Sequence, residues 1–312
     1  MKAAVYERYG PPEVVFVRDV PTPTPGANEV LIKVRATTVT RGDIRMRAFR
    51  VPLLMWIPAR LYLGVRTPRR AILGMELAGD IAAVGANVTR YKVGDPVFAS
   101  TFETRFGAHA QYKCLPEDGE LLPKPANVSY AEAAAAVGGG MMALRCLHQA
   151  DIQPGQSVLI YGASGAVGTC AVQIAARHFG AEVTGVCSGR NLELMQGLGA
   201  AHVIDYTQQD FTTTGARYDV VFDAVAKFPP ARAKSALKPG GVYLNAHKHS
   251  DNDGKNTVRI AELQAVADLL AAGALKPVID RTYPLAEIAE AHRYVDSERK
   301  RGNVAISIPH DD

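Results

Sequence analysis

Three glycines in the middle of the chain have the spacing needed to hold a phosphate group. They lie in the stretch VLIYGASGAVGTCAVQIA, where an apolar strand is followed at once by a helix. The first glycine permits a tight turn, the second lets the backbone approach a pyrophosphate, and the third lets the helix pack close to the sheet. Free N–H groups at the helix start would face the anion. A glycine-rich turn with no ligand is the alternative. The predicted dinucleotide contacts are Gly162, Ala163, Ser164, Gly165, Ala166, Val167 and Gly168.

The next predicted strand, Glu182–Cys187, indicates which dinucleotide is bound. A site for NAD usually has an acidic residue at the end of this strand, on the ribose hydroxyls. Here Ser188, Gly189, Arg190 and Asn191 follow the strand, without an acid. Ser188 can donate a hydrogen bond to a 2′-phosphate, and the Arg190 guanidinium can meet the same group with several donors. These residues favour NADP(H) as the cofactor. The alternative is that Arg190 is a solvated charge at a helix start.

The elements around this site predict an α/β fold. From Ser157 onwards strands and helices alternate, which predicts a doubly wound parallel sheet. The preceding part has short Val-rich strands separated by Pro, Gly and Asn, typical of a rolled β domain. These early strands are predicted at Lys2–Tyr6, Val14–Val20 and Val30–Val39. The chain ends in a predicted helix from Asn256 to about Ala272, a strand Val278–Arg281, a helix from Pro284 and a strand Asn303–Ile308.

Composition excludes several classes of protein. The net charge of +4 over 312 residues is mild, and no dense Lys/Arg run is present, so nucleic acid is not an expected partner. The apolar stretch Val51–Val65 is interrupted by prolines and is too short to span a bilayer, so no membrane is expected as a partner either. The N-terminus has no apolar signal-peptide region and the four cysteines have no CxxC spacing, which favours a cytoplasmic location with free thiols.

The chain resembles the zinc-independent medium-chain dehydrogenase/reductases of the quinone oxidoreductase branch. The resemblance covers nearly the whole chain and rests on the glycine stretch, on EVTGVCSGRNLELMQGLGAAHVIDY, LKPGGVYLN and GMELAGDIAAVGANVTRYKVGDPVF, and on the tail DRTYPLAEIAEAHRYVDSERKRGNVAI. It implies a GroES-like β-rich domain (residues 1–124 and 268–312), a Rossmann NADP-binding domain (residues 125–267) and an active site in the cleft between them. It also implies Tyr206 and Asn245 near the cofactor, Asn303 in a tail turn beside it, and a homodimer formed through the edge strand near Val242–Asn245.

The same resemblance indicates which positions of this chain correspond to the zinc ligands of related dehydrogenases. Related zinc alcohol dehydrogenases place a catalytic Cys where this chain has Thr40, and a His where it has Met75. Their third ligand falls near Val137 or Gly138. Threonine and methionine are poor zinc ligands and glycine offers none. The resemblance therefore implies that no metal takes part.

The segment Thr40–Arg45 resembles the family's active-site turn. Asp43 matches that turn, Thr40 replaces an Asn, and Arg45 replaces a common Tyr. We expect hydride from NADPH to reach a small-molecule quinone or α,β-unsaturated carbonyl, with Thr40, Arg41 or Arg45 stabilising the developing oxygen charge. Asp43 is expected to order the site, and a buried turn aspartate serving the fold is the alternative.

The sequence is also compatible with three other functions. An NADP-dependent alcohol or aldehyde oxidoreductase is one. An enoyl-thioester reductase is another, because a carrier-bound substrate would suit a basic surface formed by Arg60, Arg66, Arg69 and Arg70. A non-catalytic NADPH-binding sensor is the third. His247 and His249 are interpreted as surface histidines of a polar loop.

Overall fold

The computed structural model describes residues 1–52, 55–248 and 256–310 and divides into two compact units. The first unit comprises Met1–Val137 and Ile279–Asp312, and the second comprises Gly138–Val278. His249 lies outside the described residues.

The first unit is built mainly on antiparallel strands. Among its described residues, a seven-stranded sheet has the order β13-β14-β3-β4-β5-β7, with β6 also paired to β3, and β1 pairs with β2 separately. Of the described strand pairs in this unit, β13 and β14 are parallel and the others are antiparallel. The strands are β1 (Lys2–Tyr6), β2 (Val15–Asp19), β3 (Glu29–Thr38), β4 (Glu76–Val84), β5 (Pro96–Ser100), β6 (Tyr112–Pro116), β7 (Leu121–Pro123), β13 (Ile279–Pro284) and β14 (Asn303–Ser307).

Alternation along the central strand explains how this unit forms its core. In β3, Val30, Ile32 and Val34 are buried while the residues between them are half-exposed, as expected for a strand with one face on the core. These side chains share one hydrophobic core with apolar side chains of the helix α8 (Ile288–Asp296), including Ile288 and Val295. The helices of this unit are α1 (Arg41–Arg47), α2 (Trp56–Leu63), the first turns of α3 (Tyr130–His148), and α8 (Ile288–Asp296).

The second unit contains the parallel sheet that the sequence predicts. Its five described strands have the order β10-β9-β8-β11-β12 and are all parallel. The order therefore reverses at β8, and ligands of such sheets bind outside the carboxyl ends of the strands at this switch point. The strands are β8 (Ser157–Tyr161), β9 (Glu182–Cys187), β10 (His202–Asp205), β11 (Tyr218–Asp223) and β12 (Leu237–Asn245), and the helices besides the end of α3 are α4 (Ala166–Gln173), α5 (Leu192–Leu198), α6 (Pro230–Lys234) and α7 (Asn256–Ala271).

The boundaries between the units differ from the predicted 124/125 and 267/268. The first falls after Val137, because the entry to α3 is tied to the first unit: the Tyr130 hydroxyl donates to the Asp80 carboxylate. The second falls after Val278. The amide of Gln173 donates to the Lys276 carbonyl at 3.0 Å, which keeps the segment after α7 with the second unit.

Two local details of the second unit are irregular. The strand β12 includes Pro239 and Gly240, which are common turn residues, and its register against β11 shifts between Tyr218 and Val220. Beyond α4, the chain continues as a π-helical segment, Ile174–His178. Within the part of the chain that the structure describes, no helix is long and apolar enough to cross a membrane.

Candidate functional site

The glycine stretch forms a turn between β8 and α4. Gly162 follows β8 with φ of 75°, a conformation that glycine adopts without steric cost. The N–H groups of Gly162 and Ala163 both donate to the Val186 carbonyl of β9 at 3.1 Å, and the Gly165 N–H donates to the Gly162 carbonyl at 3.1 Å. These bonds fix the path of the backbone from the switch point of the sheet into the helix.

The three glycines are required for different reasons. A Cβ on Gly168 would lie 2.3 Å from the Gly162 carbonyl oxygen, so this glycine permits close packing of the helix. A Cβ on Gly162 would lie 2.6 Å from a methyl group of Val225. A Cβ on Gly165 would meet only the Gly162 oxygen, at 3.5 Å. The protein itself therefore leaves room beside Gly165, which fits a position kept small for a ligand.

The start of α4 has the donors that an anion needs. Gly165 is its N-cap and provides no side-chain hydrogen bond to the helix. The N–H groups of Ala166, Val167 and Gly168, in the first turn, have no acceptor within the helix. Their partial positive charge, together with the helix dipole, favours a bound phosphate. The residues present thus fit the pyrophosphate of a dinucleotide.

The predicted 2′-phosphate residues come together at the ends of β9 and β10. The Tyr206 N–H donates to the Cys187 carbonyl at 3.0 Å, which brings the half-exposed Tyr206 beside the turn that starts at Ser188. The Ser188 hydroxyl oxygen accepts a hydrogen bond from the Asn191 amide at 3.1 Å, so its own proton is available to a ligand. Arg190 is exposed in the same turn.

Asp205, the last residue of β10, contacts this turn and was missed by the sequence interpretation. It pairs with Cys187 in the parallel register of β10 and β9. A Cβ on Gly189 would lie 2.5 Å from its Oδ2, so the carboxylate packs directly on the turn. Hydrogen bonds from the hydroxyl and N–H of Thr207, at 2.7 and 2.9 Å, and one from the Gly189 backbone lower the pKa of Asp205. The signal in the sequence is an acid at the end of the neighbouring strand, where parallel strands present their carboxyl ends together.

The two asparagines that were expected near the cofactor lie in different units. The Asn245 amide donates to the Tyr243 hydroxyl at 3.1 Å, and its oxygen accepts the His247 N–H at 2.9 Å, so this side chain holds the turn after β12. Asn303 is the first residue of β14, in the first unit, and is buried. Contact of either residue with a cofactor remains a prediction.

Asp223 was also missed by the sequence interpretation. It ends β11 and is fully buried. Its Oδ1 accepts the Val225 N–H at 3.1 Å and its Oδ2 accepts the Phe228 N–H at 3.2 Å. Because Val225 packs on Gly162, Asp223 holds a loop against the predicted phosphate turn.

In the first unit, Thr40 and Asp43 form the N-terminal cap of α1. Asp43 Oδ2 accepts hydrogen bonds from the Thr40 hydroxyl at 2.6 Å and from the Thr40 N–H at 2.8 Å, while the Thr40 hydroxyl oxygen accepts the Asp43 N–H at 3.2 Å. Asp43 Oδ1 accepts the Gly74 N–H at 2.9 Å. Asp43 is fully buried, and its carboxylate joins two segments of backbone away from solvent.

The other predicted catalytic groups lie near this cap. Thr40 is half-exposed and Arg45 is exposed on α1. Arg41 forms an ion pair with Glu298 at 2.7 Å. The Met75 sulfur lies 3.7 Å from the Thr40 hydroxyl, so the two residues that the resemblance places at zinc-ligand positions are neighbours. Among the described residues, no cluster of His, Cys, Asp and Glu is arranged to hold a metal ion.

Comparison with known proteins agrees with this architecture. Residues 26–149 match the alcohol dehydrogenase GroES-like domain, and residues 198–306 match a family described as zinc-binding dehydrogenase. The quinone oxidoreductase of Homo sapiens is 31% identical, over 95% of this chain and 94% of the relative. The 2-methylene-furan-3-one reductase of Solanum lycopersicum is 30% identical, over 98% of this chain and 79% of the relative.

A solved structure extends the comparison to the fold. The quinone oxidoreductase from Coxiella burnetii superposes with a TM-score of 0.85 at 26% identity, over 99% of both chains. The predicted GroES-like and Rossmann-type architecture is thereby confirmed. The chain belongs to the medium-chain dehydrogenase/reductase superfamily, in its quinone oxidoreductase-like branch.

Proposed function

We propose that this protein is an NADPH-dependent, zinc-independent oxidoreductase that reduces a quinone or an α,β-unsaturated carbonyl compound. The observation that supports it best is the uncapped start of α4 at Gly165, with room for an anion beside a turn at the switch point of a parallel sheet. The substrate class is suggested by relatives named quinone oxidoreductase and 2-methylene-furan-3-one reductase.

The preference for NADPH over NADH is supported by the turn after β9. Arg190 is exposed there and offers a planar set of donors to a 2′-phosphate, and the Ser188 hydroxyl has its proton available. The Asp205 carboxylate packs against Gly189, and its oxygens already accept hydrogen bonds from Thr207 and the Gly189 backbone. We therefore assign Asp205 to positioning the turn and Arg190 to reading the phosphate.

Bound NADPH would supply the hydride for the reaction. Thr40 is the polar group of the α1 cap that is open to solvent, and its hydroxyl donates to Asp43 in this structure. Rotation of that hydroxyl would let it donate to a developing enolate or quinol oxygen. Asp43 acts as a positioning residue, because all of its described hydrogen bonds hold the cap and the Gly74 backbone. Solvent would supply the proton.

The proposal that no zinc takes part rests on donor chemistry. Thr40 and Met75 are poor ligands for Zn²⁺, which prefers thiolate, imidazole and carboxylate groups. Quinones and enones are already electron-poor at carbon, so their reduction does not require a Lewis acid. We expect a chelator to leave the turnover rate unchanged. Loss of activity with the chelator, followed by its recovery on addition of Zn²⁺, would contradict the proposal.

The first test compares two substitutions in the glycine turn. Gly165→Ala is expected to leave the thermal unfolding temperature unchanged, because its backbone (φ −80°, ψ 175°) suits alanine and the Cβ meets only one atom at 3.5 Å. It should weaken NADPH binding at least tenfold, because the Cβ would occupy the space for the pyrophosphate. Gly168→Ala should instead destabilise the fold, because its Cβ would lie 2.3 Å from the Gly162 oxygen. Titration of each variant with NADPH, beside calorimetry, separates the two roles.

Two outcomes of this test would count against the proposal. Wild-type affinity of Gly165→Ala for NADPH would show that the turn is not a phosphate site. Tight NADPH binding without turnover on a panel of quinones and enones would favour the sensor alternative.

The predicted homodimer is supported by the position of β12 at the edge of its sheet, and light scattering in solution would test it. The cytoplasmic location stays a prediction.

A further inference from the structure

The segment that runs from α1 through α2 to Met75 has an unusual charge pattern. Between Ile44 and Met75 the chain contains seven arginines and no Asp or Glu. Arg47 and Arg50 both form ion pairs with the single carboxylate of Asp296. Arg66 and Arg69 are exposed, and among the residues that the structure describes no carboxylate is paired with either guanidinium. A positive surface thus remains around α2 and the loop that follows it.

The same segment exposes an apolar surface. Five of the eleven exposed large hydrophobic side chains of the described residues fall within it. Ile57 and Leu61 are 67% and 60% exposed and, four residues apart on a helix, lie on one face of α2. Val65 is 60% exposed. We define the α2 surface as Met55, Trp56, Ile57, Leu61, Val65, Arg66 and Arg69.

The α2 surface is held firmly by its inner side. The Arg60 guanidinium lies over the rings of Tyr9, Phe49 and Trp56, at 4.6, 3.8 and 5.0 Å from their centroids. It also donates to the Val65 carbonyl at 3.1 Å. These cation–π contacts engage the Arg60 guanidinium within the protein and hold α2 against the rest of the first unit.

Two backbone contacts close the loop after α2 onto this base. The Tyr9 hydroxyl donates to the Gly64 carbonyl at 3.1 Å, and the Arg69 N–H donates to the Leu63 carbonyl at 2.8 Å. Gly64 has φ of 120°, and a Cβ there would lie 2.0 Å from the Thr67 oxygen. The exposed apolar side chains therefore lie on a helix and loop that hydrogen bonds and cation–π contacts hold in place.

We propose that the α2 surface docks onto an anionic phospholipid bilayer. A lipid surface offers both complements at once: an acyl boundary for Ile57, Leu61 and Trp56, and phosphate groups for Arg66 and Arg69. Trp is favoured at the level of the headgroups. A free anion would leave the apolar side chains in water. Binding at the surface does not require a helix that crosses the membrane, and it does not depend on the proposed enzyme activity.

The test uses Trp56 as a built-in probe, because it is the single tryptophan of the chain. The full-length protein is titrated with vesicles of phosphatidylcholine alone and of phosphatidylcholine mixed with phosphatidylglycerol, and tryptophan emission and co-sedimentation are measured. We expect a blue shift and at least about tenfold stronger partitioning with the anionic vesicles, and a loss of that preference in high salt, because exposed charges are screened. Equal partitioning to both vesicles, or none, would overturn the proposal.

Variants assign the effect to the α2 surface. The double substitution of Ile57→Ser and Leu61→Ser should abolish co-sedimentation, and Arg66→Gln with Arg69→Gln should remove the preference for anionic lipid. Val93→Ser is the matched control, since Val93 is 62% exposed outside the segment. All variants should keep the wild-type unfolding temperature. Unchanged vesicle binding by the Ile57 and Leu61 variant would overturn the proposal, as would wild-type capture of an acidic acyl-carrier protein without any vesicle binding.

Discussion

At the residue scale, the exposed Arg190 decides the expected preference between the two nicotinamide cofactors. Arg190→Gln should raise the Kd for NADPH about tenfold, because a charge-assisted hydrogen bond to phosphate is lost, partly screened by solvent. The Kd for NADH, which lacks the 2′-phosphate, should stay within about twofold. Fluorescence titration with each cofactor measures both values. Arg217→Gln is the control, because Arg217 is exposed on the same unit and its hydrogen bonds among the described residues go to carbonyls of its own loop. Equal losses for the two cofactors would contradict the assignment.

Asp43 gives a second prediction at this scale. Its carboxylate accepts from three donors, namely the Thr40 hydroxyl, the Thr40 N–H and the Gly74 N–H. In Asp43→Asn the amide nitrogen would replace one acceptor and face these donors. We expect the free energy of unfolding of the first unit to fall by about 1–3 kcal/mol, because buried donors lose their partner. Chemical denaturation measures the loss, with the exposed Asp118→Asn as control. Lost turnover in a variant of wild-type stability would instead place Asp43 in the chemistry.

At the scale of elements, a substitution in the turn between β9 and α5 tests whether Asp205 positions the proposed binding site for the 2′-phosphate. Gly189→Ala would place a Cβ 2.5 Å from the Asp205 oxygen, which Thr207 holds in place. We expect the turn to shift and NADPH to bind up to about tenfold more weakly, equivalent to one lost hydrogen bond. Isothermal titration measures the affinity.

A glycine of the neighbouring helix provides the matched control. Gly197 lies in α5, and a Cβ there would meet no atom within 4 Å. Gly197→Ala should leave NADPH affinity unchanged and stabilise the helix by about 0.5–1 kcal/mol. Loss of affinity in this variant as well would show that the whole region, and not the contact with Asp205, sets the binding.

Several elements could be predicted because their signals are local. The capping box at the start of α3 is an example: Ser129 and Glu132 exchange the expected hydrogen bonds, at 2.7 to 3.2 Å. The early start of β12 at Leu237 could not be predicted in this way. Its irregular pairing with β11 is set by the neighbouring strand, and the Pro239-Gly240 pair within it indicates a turn when considered alone.

At the scale of the whole molecule, we expect the buried His292 to make the first unit sensitive to acid. His292 is fully buried in α8, and neither of its ring nitrogens has a hydrogen-bond partner among the described residues. The ring centroids of His109 and His292 are 6.0 Å apart, and Arg47 is near enough to interact electrostatically with His292. Burial, and then these two neighbours, hold the pKa of His292 well below its usual value near 6.5. The folded state therefore binds its proton later than the unfolded state as the pH falls.

The direction of the pH effect follows from this difference. Above pH of about 6.5, His292 is neutral in both states and makes no contribution to pH dependence. As the pH falls below that value, the unfolded state takes up a proton and the folded state does not, so stability is lost. His292→Leu should remove this loss and should also relieve an unsatisfied buried polar group. Urea unfolding at pH 8 and pH 5.5 is the measurement. A stability difference between variant and wild type that does not grow at the lower pH would contradict this account.

The sequence by itself determined the β-rich and α/β division of the chain, the position of the glycine turn between β8 and α4, and the residue types of the turn after β9. These features depend on residues close together in the chain, whose spacing has a direct steric or electrostatic reason. The tertiary structure alone decided that Asp205 packs on Gly189, that Asp223 holds Val225 over Gly162, and that Asp43 joins Thr40 to Gly74. Each of these contacts joins residues from separate strands or loops, and strand register and chain packing, which no local pattern specifies, bring them together.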